Sequence, residues 1–206
     1  LVIRYPNGKA YTQKQPTSPT TAKKAVEKKQ SFSNRGKTLE DEINEANEFY
    51  LRQKLAVIHK KPVPLQIVKV EYPSRSAAVV REAYFRTPST TDYNGIWQAR
   101  YIDFEAKETE NKTSFPLKNI HAHQVQHMQA IVEQGGITFV IVRFSKLERY
   151  FLLSFDVLKE AWDAMLVGAR KSIPLAIFET SCLEIQTGYY PRLDYLKAVE
   201  QFYEQT

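Results

Sequence analysis

Cysteine is almost absent: Cys182 is the only one in 206 residues, so no disulfide can form within the chain. A reducing, cytoplasmic setting fits that scarcity. Cys182 sits between Ser181 and Leu183 with no evident histidine partner, so it reads as a buried small residue rather than a nucleophile. No apolar run approaches the roughly 18 residues of a membrane span, so none of these residues is expected to form one. Leu1-Val2-Ile3-Arg4 leaves no room for a charged region followed by an apolar core, so no secretory signal is expected. The chain also starts without methionine, and a few further residues are expected before Leu1. Acids are nearly missing from the start. Residues 1–37 hold nine Lys/Arg against one acid, Glu27, while the remainder holds 20 Lys/Arg against 22 acids. The net charge of +6 therefore resides in the tail and not on the body. That asymmetry points to an anionic partner, nucleic acid before a membrane surface; a merely solubilising tail is the plainer alternative.

What is present suits one compact domain. The chain is 43% hydrophobic and 12% aromatic, enough to bury a core without disulfides or structural metal. Residues 10–33 are rich in Thr, Ser, Pro, Gln and Lys and poor in aliphatics, and read as disordered. We therefore expect a basic tail over 1–37 and a folded domain over 38–206. Thr38 can cap a helix, with Asp41 on its first turn. Leu39, Ile43, Ala46 and Tyr50 follow as an apolar stripe at helical spacing, and five acids between 40 and 48 cover the other faces. Residues 55–58 read as a short buried strand. Residues 62–85 form either a projecting hairpin or a strand and a short helix; Pro62 and Pro64 argue against a central sheet position. Strand, turn and strand are expected over 92–108, and a helix over 120–134 with Ile120, Met128 and Ile131 on one stripe. Strands at 137–144 and 150–153 and helices at 157–167 and 193–203 complete a mixed α/β domain.

The chemistry concentrates in Tyr101-Ile102-Asp103-Phe104-Glu105-Ala106-Lys107. In a strand, alternate side chains share a face. Ile102, Phe104 and Ala106 then enter the core, while Asp103, Glu105 and Lys107 point out together. Asp92 lies thirteen residues before Glu105, on the expected partner strand. Magnesium takes hard oxygen ligands, usually one or two carboxylates plus waters and phosphate oxygens. Asp92 and Glu105 supply such carboxylates, and Lys107 can orient the attacking hydroxide and stabilise five-coordinate phosphorus. A solvated strand edge carrying a charge ladder is the competing explanation. Glu40, on the first helix, can reach the site or belong to a solvated face. Asp103 suits a supporting place beside the ligands. His121, His123 and His127 include an i, i+4 pair of the kind that binds zinc, but without the accompanying motif.

These residues, with longer runs, resemble the RecU Holliday-junction resolvase family of the PD-(D/E)xK nuclease superfamily. The runs are Ser89-Thr90-Thr91-Asp92-Tyr93-Asn94-Gly95, Asp103 to Thr109, Ala56 to Pro62, Asn111 to Leu117, and Pro191-Arg192-Leu193-Asp194-Tyr195. The tail and residues 155–187 match more loosely. The resemblance implies a mixed-sheet, restriction-endonuclease-like α/β nuclease core with a projecting stalk at about 62–85. It implies that Thr90, Asp92, Glu105 and Gln124 coordinate Mg2+, with Mn2+ as a possible substitute, and that Lys107 stabilises the transition state. Gln124 has separate support, since it interrupts an apolar helix stripe; a hydrogen-bonded helix-edge glutamine is its other explanation.

Junction DNA binding should rest on backbone charge and shape. Arg35, Lys60, Lys61, Lys69, Arg75, Arg81 and Arg86 are the expected phosphate contacts. Tyr84 and Phe85 are either stacking platforms for exposed bases or core aromatics at the base of the stalk. Paired nicks related by a two-fold axis imply a homodimer. Partnership with RecA and RuvB follows from the resemblance alone. A restriction or repair endonuclease acting on duplex DNA, and a non-catalytic protein that binds branched DNA, are the competing functions.

Overall fold

The structure is a computed structural model that describes residues 37–74, 77–85 and 90–204. The basic segment 1–36, with Arg35, lies outside the described residues, as do Arg75 and Arg86 and the side chain of Phe85.

Helix α1 (Leu39–Arg52) starts at the expected cap. Thr38 Oγ1 accepts the Asp41 N–H, and Asp41 Oδ2 accepts the Thr38 N–H at 3.1 Å. Such reciprocal caps satisfy two backbone donors that the helix leaves open. Leu39, Ile43, Ala46 and Tyr50 are all buried, as the spacing predicts. One of the five acids departs from expectation. Glu42 is 2% exposed and turns inward to accept a hydrogen bond from Arg192 Nε at 2.8 Å.

Strand β1 (Ala56–Lys60) is half-buried rather than buried, because it lies at one edge of the main sheet. Ala56 and Ile58 face the core while Val57 faces out. The next segment is a hairpin, which excludes the alternative of a strand and short helix: β2 (Leu65–Ser74) pairs antiparallel with β3 (Ala77–Phe85). It joins no strand of the main sheet. Leu65, Ile67, Val68, Tyr72, Val80 and Tyr84 on it are all exposed.

The chain then returns to the sheet. Strands β4 (Tyr93–Trp97) and β5 (Arg100–Thr109) form a hairpin closed by Gln98 and Ala99, both at positive φ as a two-residue turn requires. Short β6 (Ser114–Pro116) and a 3-10 turn lead to α2 (Ala122–Glu133). The expected helix over 120–134 thus begins two residues later. Strand β7 (Ile137–Phe144) runs parallel to β5, and β8 (Arg149–Ser154) antiparallel to β7. Helix α3 (Phe155–Leu166), β9 (Ser172–Pro174), α4 (Leu175–Ser181), β10 (Leu183–Ile185) and α5 (Tyr195–Glu204) follow. The order across the six-stranded sheet is β1-β4-β5-β7-β8-β10, and β6 pairs with β9 separately. The short elements β6, β9, α4 and β10 are absent from the sequence-based expectation.

Two apolar layers sandwich the sheet. Ile102, Phe104, Phe139 and Ile141 meet α1 and α5 on one face. Val140, Val142, Phe144 and Phe151 meet α2, α3 and α4 on the other. Every residue of β7 is buried, as expected for a strand covered on both sides. Among the described residues no helix is long and apolar enough to cross a membrane.

Gly95 sets how closely β1 can dock. A Cβ there would lie 2.0 Å from the Val57 carbonyl oxygen and 2.6 Å from Ile58 Cα, both backbone atoms that cannot yield without moving the strand. Gly95→Ala should therefore loosen β1 and lower Tm by roughly 5–10 °C in a thermal melt. A melt within about 1 °C of wild type would show that the edge strand has room to move.

Candidate active site

Alternation on β5 places Asp103, Glu105 and Lys107 on the face opposite Phe104. The structure corrects one expectation here. This face does not look into solvent, because α2 packs over it, and both Asp103 and Glu105 are fully buried. Two carboxylates in such surroundings need compensation.

Asp103 receives it in full. Its Oδ2 accepts from Lys61 Nζ at 2.6 Å and from Tyr101 OH at 2.9 Å, and its Oδ1 accepts from the Thr91 hydroxyl. His127 Nε2 stands 3.3 Å from Oδ1. Glu105 is treated differently. Its Oε2 accepts the Asp92 N–H at 3.1 Å, and its Oε1 lies 2.5 Å from Lys107 Nζ but makes no well-formed hydrogen bond. Burial, and then the Asp92 carboxyl beside it, push the Glu105 carboxyl up to about 8, against the pull of Lys107. Asp92 itself is half-buried at the entry to β4. A buried carboxylate held against a second one is an arrangement that a divalent cation relieves.

Thr90 and Gln124 are less directly engaged. Thr90 is half-buried with its hydroxyl 3.4 Å from the Thr91 carbonyl. Gln124 is 5% exposed, and its Oε1 accepts the His121 N–H at 3.0 Å, so it already has a hydrogen bond of its own. Among the described residues no hydrogen bond joins either side chain to Asp92 or Glu105. Topology puts Gln124 on the Glu105 side of the His127–Asp103 contact. Helix α2 carries the chain back from the end of β5 to the start of parallel β7, so the two run in opposite directions. His127 faces Asp103; three residues back along the helix and two forward along the strand cover about 4.5 and 6.8 Å in one direction. All four candidate donors are oxygens, a set suited to a hard cation.

The remaining candidates separate. Glu40 is half-exposed and pairs with Lys60 Nζ at 2.5 Å. Lys61, expected to meet phosphate, has its ammonium turned inward onto Asp103 and Thr91. Lys69, Arg81 and Tyr84 are exposed on the hairpin beside its acids: Arg81 Nε donates to Glu71 at 2.8 Å, and Tyr84 OH to Glu82 at 2.6 Å. His121 and His123 stack on one another while His127 turns to Asp103. His123 and His127, the i, i+4 pair, thus turn to different partners. Burial pushes the Cys182 thiol up to about 12, so it carries little thiolate at neutral pH. Sequence reasoning missed Thr91 and Tyr101. The signal was available in Tyr101, two residues before Asp103 on the same strand face.

The family model for RecU, recombination protein U, matches residues 34–201. The chain belongs to the RecU family. Holliday junction resolvase RecU of Lactiplantibacillus plantarum is 52% identical over 206 residues, covering 100% of this chain and 98% of the relative. Holliday junction resolvase RecU of Bacillus cereus strain B4264 is 50% identical over 203 residues, covering 98% and 99%. Among solved structures, Hjc of Archaeoglobus fulgidus, a Holliday junction resolvase, aligns at 10% identity over 69% of this chain and 95% of its own. Its TM-score of 0.38 is too low to build on.

The raised Glu105 carboxyl has a consequence for stability in this RecU-family domain. Between the ordinary value of 4.5 and about 8 the folded state holds a proton that the unfolded state releases. Metal-free protein therefore loses stability as pH rises through that window, and the loss is complete above it. Glu105→Gln cannot ionise, so its Tm advantage over wild type should grow from near zero at about pH 4 to roughly 5 °C at about pH 8.5 in chelator-treated samples. A pH-independent difference would show that Glu105 is not held in its neutral form.

Proposed function

We propose that this RecU-family chain is a divalent-metal-dependent endonuclease that resolves four-way DNA junctions by paired, symmetric nicks in recombination and repair. The carrying observation is the buried Glu105 carboxylate held against Asp92, with Lys107 Nζ 2.5 Å away, in a chain half identical to proteins named Holliday junction resolvase. Mg2+ is the cation proposed, with Mn2+ as a substitute. Asp92 and Glu105 would hold it, with Thr90 and Gln124 completing the oxygen set.

When bound, the cation supplies an activated water and neutralises charge gathering on phosphorus. Lys107, beside Glu105, would orient the attacking oxygen and stabilise five-coordinate phosphorus. Burial sharpens both effects, because a water-poor site screens charge weakly. In-line attack leaves 5′-phosphate and 3′-hydroxyl ends. Two symmetric nicks need two such sites, hence a two-fold homodimer. Association with RecA and RuvB, and action in the cytoplasm, belong to the same family-based proposal.

DNA contacts divide by role. Lys60, Lys69, Arg75, Arg81, Arg86 and Arg35 are proposed for phosphates, and Tyr84 and Phe85 for stacking on exposed bases at the junction centre. Lys61 leaves this group, its ammonium being engaged by Asp103.

The test compares a four-way junction with a linear duplex of the same sequence, each with Mg2+, with Mn2+ and with chelator. Paired nicks on the junction, only with metal, are expected. Cutting of the duplex would support a restriction or repair enzyme instead, and binding without cutting under every condition a non-catalytic DNA-binding protein. Asp92→Asn and Glu105→Gln should each lower the cleavage rate by about 1,000-fold or more while retaining junction binding. Near wild-type cutting by either would place the site elsewhere.

The basic tail is proposed as a separate electrostatic element. Deleting residues 1–33 removes seven Lys/Arg and one acid. Junction affinity should fall, and the slope of log affinity against log salt should flatten, as fewer counterions are released. An unchanged slope would make the tail a bystander.

A further inference from the structure

The hairpin and the cleavage centre share one anchor. Lys61 is the residue from which the chain leaves β1 for the hairpin, and Thr91 is where it has returned, just ahead of β4. Both are tied to the same buried carboxylate: Lys61 Nζ donates to Asp103 Oδ2 at 2.6 Å, and the Thr91 hydroxyl to Oδ1. The two roots are also tied to each other. Lys61 Nζ donates to Thr91 Oγ1 at 3.0 Å, and the Lys61 N–H donates to the Asp92 carbonyl at 2.7 Å. Asp92 is thereby gripped on both sides, through the side chain before it and through its own carbonyl. Asp103 is two residues from Glu105 on the same strand face, and Tyr101 OH, which receives Asn94 Nδ2 at 3.1 Å, braces it from β4.

We propose that Asp103 is a positioning residue which, through Lys61 and Thr91, clamps both roots of the hairpin to Asp92, so that the seating of the hairpin on DNA governs the rate of cleavage and not only affinity. This rests on the assignment of Asp92 and Glu105 as the cleavage centre. The physical ground is stiffness. Asp92 enters the sheet from a segment that the ladder of β4 does not yet hold, and its carboxylate can stay against Glu105 only if that segment is fixed. A buried carboxylate with three donors supplies such a fixed point, because moving any partner strands a charge away from water. Lys61 and Thr91 lie on the two chain segments that join the hairpin to the sheet, and both bond Asp103, so a displacement of either segment is passed to that carboxylate. A displacement of about 1 Å at reacting groups can cost on the order of 100-fold in rate.

Full-length Asp103→Asn, Lys61→Met and Thr91→Val are compared with wild type in three measurements. These are the single-turnover cleavage rate at saturating protein, the junction Kd in chelator, and the thermal melt. Lys61→Arg serves as the conservative rescue. The expected result for Asp103→Asn and Lys61→Met is a rate lowered by about 100-fold at saturation with Kd within about threefold of wild type. Lys61→Arg should recover at least about tenfold over Lys61→Met. Combining Asp103→Asn with Lys61→Met should cost little more than either alone, since both break one clamp. Thr91→Val, which keeps its shape, carries the test should Asp103→Asn fail to melt cooperatively. Wild-type rates at saturation in these variants, or a loss seen only in Kd, would overturn the proposal. Asp92→Asn run alongside separates the two assignments. If it still cuts, the cleavage centre itself is misplaced; if it is inactive while the clamp variants cut normally, only the clamp is wrong.

Discussion

Burying two carboxylates on one face of β5 is the constraint around which the rest of this structure is arranged. A carboxylate withdrawn from water costs several kcal/mol unless donors replace the lost solvent. Asp103 and Glu105 are both fully buried, yet they are compensated unequally. Asp103 has an ammonium and two hydroxyls and so costs the fold little. Glu105 has one backbone N–H, one lysine and an opposing carboxyl, and is pushed up to about 8. The first is therefore suited to holding the structure in place. The second is left needing a positive partner, which is what a cleavage centre for an anionic phosphodiester requires.

Several distant features serve that face. The crossover from β5 to β7 brings α2 over it and with it Gln124 and His127. Gly95 lets β1 approach β4 closely, and β1 delivers Lys61. On the opposite face, stacked Tyr93, Phe104 and Phe139 give the strands a rigid floor. The hairpin is built on other terms. Its apolar residues are exposed rather than packed, and its charges pair locally, as in Arg81 with Glu71. Exposed aliphatics and tyrosines on a two-stranded ribbon suit contact with the apolar faces of bases.

The point where the basic segment enters the domain is also anchored. Arg143 on β7 donates to the Lys37 carbonyl at 3.2 Å and to Glu148 at 3.1 Å. Glu42 and Arg192 lie beside it, joined by their own hydrogen bond. Lys37 and Arg143 are 106 residues apart, so the entry to α1 is held by a strand formed much later in the chain. Tyr50 adds a further tie, donating to Asp194 at 2.8 Å and receiving the Leu196 N–H.

The sequence by itself determined what local physics controls. Thr38 and Asp41 specify the start of α1, because a cap needs residues only three apart. The alternation from Ile102 to Lys107 specifies two faces of β5, because strand geometry alone separates them. Asp92, Glu105 and Lys107 were therefore legible as a group, and the longer runs around them carried the family. Tertiary structure alone decided that the charged face of β5 is buried at Asp103 and Glu105 as the apolar face is. The covering helix α2 is supplied by a crossover, and no pattern within β5 encodes its presence. It also decided that Lys61 turns to Asp103, forty-two residues away, rather than toward solvent. Short β6, β9, β10 and α4 escaped notice for a similar reason: three- to seven-residue elements hold through partners elsewhere, not through their own periodicity. Periodicity reports the neighbours a residue has along the chain, whereas the cost of a buried charge depends on every atom around it.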